Sequence, residues 1–399
     1  MKNFSNFNFH MYTEISFGRG TVDGLAGLIK KYGGTKVLFV YGSGSIKKSG
    51  LYDRIVKALN EGGVHFVELG GVKANPLRSV AEKGIEIARA EGTDFYLGVG
   101  GGSVIDTAKA IALAMASGGE YWSYYNGVEP RSMEPVGAIN TIAAAGSETS
   151  GSTVLVDDIE TDRKFGLMWP DVCRPVFAIM DPELTYALPS RQTASGAADI
   201  FSHTFMRYFT NYASYLGDAY CVSTFKTVKK YAPIVLSRPD DYEARAELML
   251  AATFSHNDLT GIGRAGDGRG GEHSLERQLS GYYDFPHGEG LAVMMPAFLK
   301  YIVLHGTQSQ VARVADFGVC VFDVEPEMDD VVSVATEGIA RFIEWLRSLG
   351  LPVTLGELGV PESEYATAAE RCVSDNGGTL NGFMETDADG IREIFRLAE

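Results

Sequence analysis

The segment that most constrains this chain is Phe95–Ala116, FYLGVGGGSVIDTAKAIALAMA. An apolar run of strand length, Phe95–Val99, ends in Gly100-Gly101-Gly102-Ser103. Helical periodicity then takes over from Val104 to Ala116. A buried strand that feeds a helix through a tight turn belongs to a parallel sheet, because the helix is the crossover to the next strand. The same alternation surrounds it. Lys36–Tyr41 (KVLFVY), Val64–Leu69 (VHFVEL), Pro135–Asn140 and Val176–Asp181 (VFAIMD) read as strands, and Ser49–Asn60 and Leu77–Ala90 as helices. The expectation is an α/β domain whose parallel sheet is covered on both faces.

After Asp181-Pro182 the strand signals nearly vanish. Helical spacing dominates at Arg191–Phe209, Ala219–Leu236, Glu243–Asp258, Leu291–His305, Val331–Leu349 and Asp389–Ala398. The boundary is placed at Leu188-Pro189. That gives an α/β domain over 1–188 and an all-α domain over 189–399, and 399 residues suffice for two cores. Phe4–Phe17 alternates aromatic and polar residues and reads as an edge hairpin.

Composition removes several function classes. A net charge of −16 argues against nucleic acid and against anionic membrane surfaces. The apolar stretch Gly290–His305 is too short to span a bilayer and contains Lys300. Cys173, Cys221, Cys320 and Cys372 show no metal or disulfide spacing, and the N-terminus has no continuous apolar run. The expected setting is cytoplasmic, and the expected partner is a small molecule.

Two groups of residues carry chemistry. In the first, the glycines at 100–102 let backbone N–H groups approach a pyrophosphate at a helix start, and Ser103 adds a hydroxyl. The bland alternative is a tight turn, which needs fewer glycines. The spacing matches neither the GxGxxG fingerprint nor a P-loop. Tyr41-Gly42-Ser43-Gly44-Ser45 ends the first strand without the acid that binds a ribose 2′-hydroxyl. With Lys47 and Lys48 nearby it suits a 2′-phosphate, or equally a flexible turn. Asn140–Gly151 (NTIAAAGSETSG) offers small residues and hydroxyls to a ligand, or simply connects two elements.

The second group is Asp199, His203, His273 and His287. Asp199 and His203 stand one helical turn apart and share a face. One carboxylate and three imidazoles can hold a divalent transition metal and leave a position open. A buried histidine satisfied by its neighbours is the competing reading. His10, His65, His256 and His305 lack partner spacing.

Together, YGSGSIKKSG, GVKANP, GVGGGSVIDTAKAIA, GSE, MDPELTYALP, D-x3-H and H-x13-H resemble the iron-containing (group III) alcohol dehydrogenase family, its butanol dehydrogenase and broad aldehyde reductase branch. The resemblance runs over nearly the whole chain. It implies a dehydroquinate synthase-like fold, with a dinucleotide-binding α/β domain followed by a helical one. It implies metal ligands Asp199, His203, His273 and His287, with Fe2+ or Zn2+, or Mn2+ or Co2+, as the ion. It implies pyrophosphate contacts from Gly100, Gly101, Gly102 and Ser103. Gly42, Ser43 and Ser45 fall beside the adenosine ribose in a pattern that goes with NADP(H). Asp106, Thr141, Ser147 and Lys164 fall on cofactor-lining positions. The implied reaction is hydride transfer between nicotinamide C4 and a primary alcohol or aldehyde, in a homodimer. A glycerol-type dehydrogenase or a dehydroquinate-synthase-like lyase is the alternative; the latter needs a further basic cluster near the ligands, which the sequence lacks apart from Arg277 and the candidates Arg264 and Arg269.

Three positions depart from the family pattern. Arg277 stands where a histidine is usual, four residues past His273. Ala145 replaces a threonine and Ser150 an asparagine. Arg277 is therefore a candidate for the substrate pocket, reading an anionic group, or else a surface ion pair with Glu272 or Glu276.

Overall fold

The computed structural model describes residues 5–118, 120–264, 271–283, 285–326 and 330–399. Among them are eight strands: β1 Glu14–Phe17, β2 Lys36–Gly42, β3 His65–Val72, β4 Phe95–Gly100, β5 Val136–Asn140, β6 Ser152–Asp157, β7 Arg163–Met168 and β8 Phe177–Met180. Six form one sheet in the order β1-β8-β5-β4-β2-β3. Every pairing in it is parallel. β6 and β7 form a separate antiparallel pair.

The central strands are apolar because both faces are covered. On β2, Leu38 and Val40 pack with Ala81, Ile85 and Ile111 from two helices, Arg78–Glu91 and Gly102–Ala116. Val37 and Phe39 face the other way, onto Ile29, Ile55 and Leu59. Strand side chains alternate in direction, so one five-residue run serves two cores.

Strand order locates the ligand edge. From β2 the chain steps outward to β3, then returns across β2 to β4. The winding reverses between β2 and β4. Open α/β sheets take ligands outside the carboxyl ends of the strands at such a reversal. Gly42 ends β2 and Gly100 ends β4, and Tyr41 is registered with Val99.

The N-terminal expectation needs correction. The described part of Phe4–Phe17 forms no hairpin. Residues 5–13 have no regular structure, and Glu14–Phe17 is a single edge strand parallel to β8. Its partner is distant in sequence, so local alternation gave the strand but misassigned the pairing.

Two compact units emerge. One comprises His10–Leu188 with Pro239–Asn257. The other comprises residues 5–9, Pro189–Arg238 and the described residues of 258–399. The helix Tyr242–His256, which the sequence assigns to the helical domain, thus packs in the α/β unit. Met249 joins Ala178 and Met180 of β8 in one apolar cluster, and Thr253 donates to buried Glu148. The other unit is built from helices around an aromatic core. Phe201, Phe225, Phe317 and Phe342 meet at ring separations of 4.4–6.1 Å. Among the described residues, no helix is long and apolar enough to cross a membrane.

Candidate metal centre and dinucleotide-binding turn

Asp199 and His203 lie on the helix Ser190–Tyr208, one turn apart. Both are buried, each 7% exposed. His273 is the third residue of the helix Gly271–Tyr283. His287 opens the helix His287–His305, with Pro286 as its N-cap. The Pro286 backbone is extended, with φ −59° and ψ 136°, so the helix begins only at His287.

One ligand-capable atom from each of Asp199, His203 and His273 lies within 4.8 Å of the others. His203 Nε2 is 3.8 Å from Asp199 Oδ1, and His287 Nε2 is 3.9 Å from that same oxygen. His273 stands between the other two imidazoles, with ring centroids 5.2 Å from His203 and 5.4 Å from His287. Donors bonded to a tetrahedral ion at ~2.1 Å stand roughly 3.4 Å apart. The 3.8 and 3.9 Å separations from Asp199 Oδ1 need only a small contraction to reach that. His287 joins through Asp199 rather than closing on all three. Imidazole nitrogen with one carboxylate oxygen is a donor set for a divalent transition ion, so these residues fit the metal the sequence implies.

Two acids lie behind the histidines. Glu272 is 1% exposed and Glu276 is fully buried. Glu272 Oε1 is 3.0 Å from His273 Nδ1. Glu276 Oε2 approaches His287 Nδ1 to 2.7 Å, short but not well aligned for a hydrogen bond. Ser202 Oγ lies 3.4 Å from His273 Nε2. The sequence offered both glutamates only as partners for Arg277, and they turn to the histidines instead. Their spacing of four on one helix was the available signal.

Arg277 is exposed. It sits one turn beyond His273, and its guanidinium donates to Ser274 Oγ at 3.4 Å. Nearby Cys372 is pushed up to about 12 by burial, with the Arg277 charge pulling the other way. Arg264 is committed internally, donating to Asp218 and to the carbonyls of Arg207, Thr260 and Ser214. Arg269 lies outside the described residues.

In the α/β unit the glycine turn is built as the sequence requires. Gly101 is the N-cap of Gly102–Ala116. A Cβ on Gly98 would stand 3.0 Å from Ile105 Cα, and one on Gly101 would stand 2.7 Å from Ile142 Cγ2. The turn is thus pressed between its own helix and the loop after β5. Thr141 N–H donates to the Gly100 carbonyl at 3.1 Å. Ser103 is half-buried, and Ser43 and Ser45 at the end of β2 are exposed.

Behind the turn lies a polar lock. Asp106 accepts from Ser147 Oγ at 2.5 Å and from Val154 N–H at 3.0 Å. One turn on, fully buried Lys109 donates to the carbonyls of Ser147, Ser150 and Ser152 at 2.6, 2.9 and 2.9 Å. Burial pulls its ammonium down to about 8, although Asp106 opposes that. Burial likewise pushes the Asp106 carboxyl up, against the nearby Lys109 charge. Lys164 on β7 reaches Asn75 Oδ1 at 3.2 Å. Asp106 and Ser147 are therefore bonded to each other. The sequence did not single out Lys109, although its place three residues after Asp106 on a helix was visible.

Comparison with known proteins gives a consistent relationship. Residues 13–182 match the model for iron-containing alcohol dehydrogenase, and residues 193–398 match the C-terminal model of the same family. The chain is 37% identical to NADH-dependent butanol dehydrogenase A of Clostridium acetobutylicum over 395 residues, 98% of this chain and 99% of that one. It is 30% identical to the NADPH-dependent aldehyde reductase YqhD of Escherichia coli over 400 residues, 99% of this chain and all of that one. The crystal structure of NADH-dependent butanol dehydrogenase A from Thermotoga maritima superposes with a TM-score of 0.92 at 35% identity, covering 99% of both chains. The chain belongs to the iron-containing alcohol dehydrogenase family.

Proposed function

We propose that this protein is a metal-dependent, NAD(P)H-linked alcohol dehydrogenase or aldehyde reductase. It moves hydride between nicotinamide C4 and a primary alcohol or aldehyde. The observation that carries this reading is the convergence of Asp199, His203 and His273, with His287 on the same carboxylate. It stands in a chain that also has a glycine turn at the sheet reversal.

Asp199, His203, His273 and His287 would hold the divalent ion. When bound, it supplies Lewis acidity toward the substrate oxygen. The chain does the rest by placement. Backbone N–H groups at Gly100–Gly102 and the Ser103 hydroxyl would receive the pyrophosphate at a helix N-terminus. Thr141 and Lys164 would line the cofactor, and Asp106 with Ser147 would shape its loop. Arg264 is buried in internal bonds, which removes one basic residue that a synthase-like alternative would need.

Cofactor choice rests on Gly42–Ser45. No acid there binds a 2′-hydroxyl or repels a 2′-phosphate, which favours NADP(H). The relatives named NADH-dependent butanol dehydrogenases favour NADH. The test of the whole reading is metal analysis of anaerobically purified protein, coupled to absorbance at 340 nm with both cofactors and an aldehyde panel. Turnover that requires metal supports it. No turnover with any of Fe2+, Zn2+, Mn2+ or Co2+ rejects it.

A further inference from the structure

We infer that Glu272 and Glu276 are positioning residues of the metal centre, each holding one histidine from behind so that its Nε2 faces the ion. This rests on the metal reading above and assigns work to two residues outside the ligand set.

Both acids are buried, at 1% and 0% exposure. Burying a carboxylate is costly unless something compensates it nearby. An imidazole stands beside each of them. Glu272 Oε1 is 3.0 Å from His273 Nδ1, and Glu276 Oε2 is 2.7 Å from His287 Nδ1. A histidine with an acceptor at Nδ1 keeps its proton there and leaves the Nε2 lone pair free to ligate. The opposite edge of His287 does face the donor set, with Nε2 3.9 Å from Asp199 Oδ1.

The two acids differ in reach. Glu272 holds its own sequence neighbour. Glu276 crosses from the helix Gly271–Tyr283 to the helix His287–His305, so it also sets the distance between two ligand-bearing helices. The second helix makes room for it. A Cβ on Gly290 would stand 2.5 Å from Phe285 Cε2, 2.7 Å from Glu276 Cγ and 3.1 Å from its Oε1. Glycine at 290 leaves room for the Phe285 ring and for the acid between the helices.

The test uses Co2+ as probe on the full-length, metal-stripped protein, by chelator competition and by the visible d–d spectrum. Glu272→Gln and Glu276→Gln should each weaken Co2+ binding by about 10–100-fold. Glu276→Leu, with no acceptor at all, should weaken it further than Glu276→Gln. The Glu276 variants should also change the Co2+ band positions, while circular dichroism of the stripped protein and dinucleotide binding stay as in wild type. Wild-type affinity and an unchanged spectrum in both glutamine variants would overturn the inference. Failure of the wild-type protein itself to take up Co2+ would instead overturn the metal reading on which it rests.

Discussion

Lys109 Nζ lies 2.6 Å from the Ser147 carbonyl, and the same ammonium also reaches Ser150 and Ser152. A single buried cation thus pins the loop that presses on the glycine turn. Lys109→Met leaves two buried carbonyls, of Ser147 and Ser150, and the half-buried Ser152 carbonyl without this donor. At about 1–3 kcal/mol for each unsatisfied group, the expected loss is ~3 kcal/mol or more. Chemical denaturation measures it. Dinucleotide Kd should rise as well, because the loop loses its anchor.

The same amine sets a pH dependence. Its folded value, about 8, lies below the ordinary 10.5 because burial disfavours the charge. Between those values the unfolded chain binds more protons than the folded one, so this group's contribution to stability rises with pH. Wild type minus Lys109→Met, followed by denaturant titration from pH 7.5 to 10.5, should show that rise. A flat difference would contradict it.

His273→Ala and His287→Ala should lose bound metal and alcohol oxidation but keep dinucleotide affinity, since the glycine turn lies in the other unit. Elemental analysis and cofactor fluorescence separate the two effects. Unchanged turnover in metal-stripped His287→Ala would reject the ligand assignment.

The sequence was most legible where burial is uniform. β2, β4, β5 and β8 are buried on both faces, so each reads as an apolar run. β6 and β7 were not read as strands. In STVLVD only alternate residues are buried, and RKFGLM carries two charges. The helix Gly271–Tyr283 was missed for a different reason. It is buried nearly all round, and Glu272, Ser274, Glu276, Gln278 and Ser280 are buried beside Leu275 and Leu279, so no single apolar stripe shows in the sequence. Glu272 and Glu276 among them belong to the candidate site. His273 was legible by spacing, whereas the glutamates behind the histidines read only as ion-pair partners for Arg277.

Arg277 tests substrate choice. If its guanidinium meets an anionic group on the substrate, Arg277→Ala should lower kcat/KM for an ω-carboxy aldehyde relative to its uncharged analogue. A charged hydrogen bond of about 1.5–3 kcal/mol corresponds to a change of roughly tenfold or more. An unchanged ratio assigns Arg277 to its Ser274 contact alone.

Cofactor preference is tested at the end of β2. Ser43→Asp places a carboxylate on an exposed turn position. It should raise the KM for NADPH and leave NADH less affected. A like-charge cost of about 1.4 kcal/mol is already tenfold. Equal effects on both cofactors would place the 2′ position elsewhere.

β1 has one more consequence, for synthesis. It is synthesised well before its partner β8, which closes the run of strands. Until residues 177–180 emerge, both Glu14–Phe17 and the outer edge of β5 have unpaired backbone. A nascent or truncated chain that stops before β8 therefore exposes two strand edges at once, and such edges template aggregation. Yield of full-length protein should depend on how fast translation passes that point.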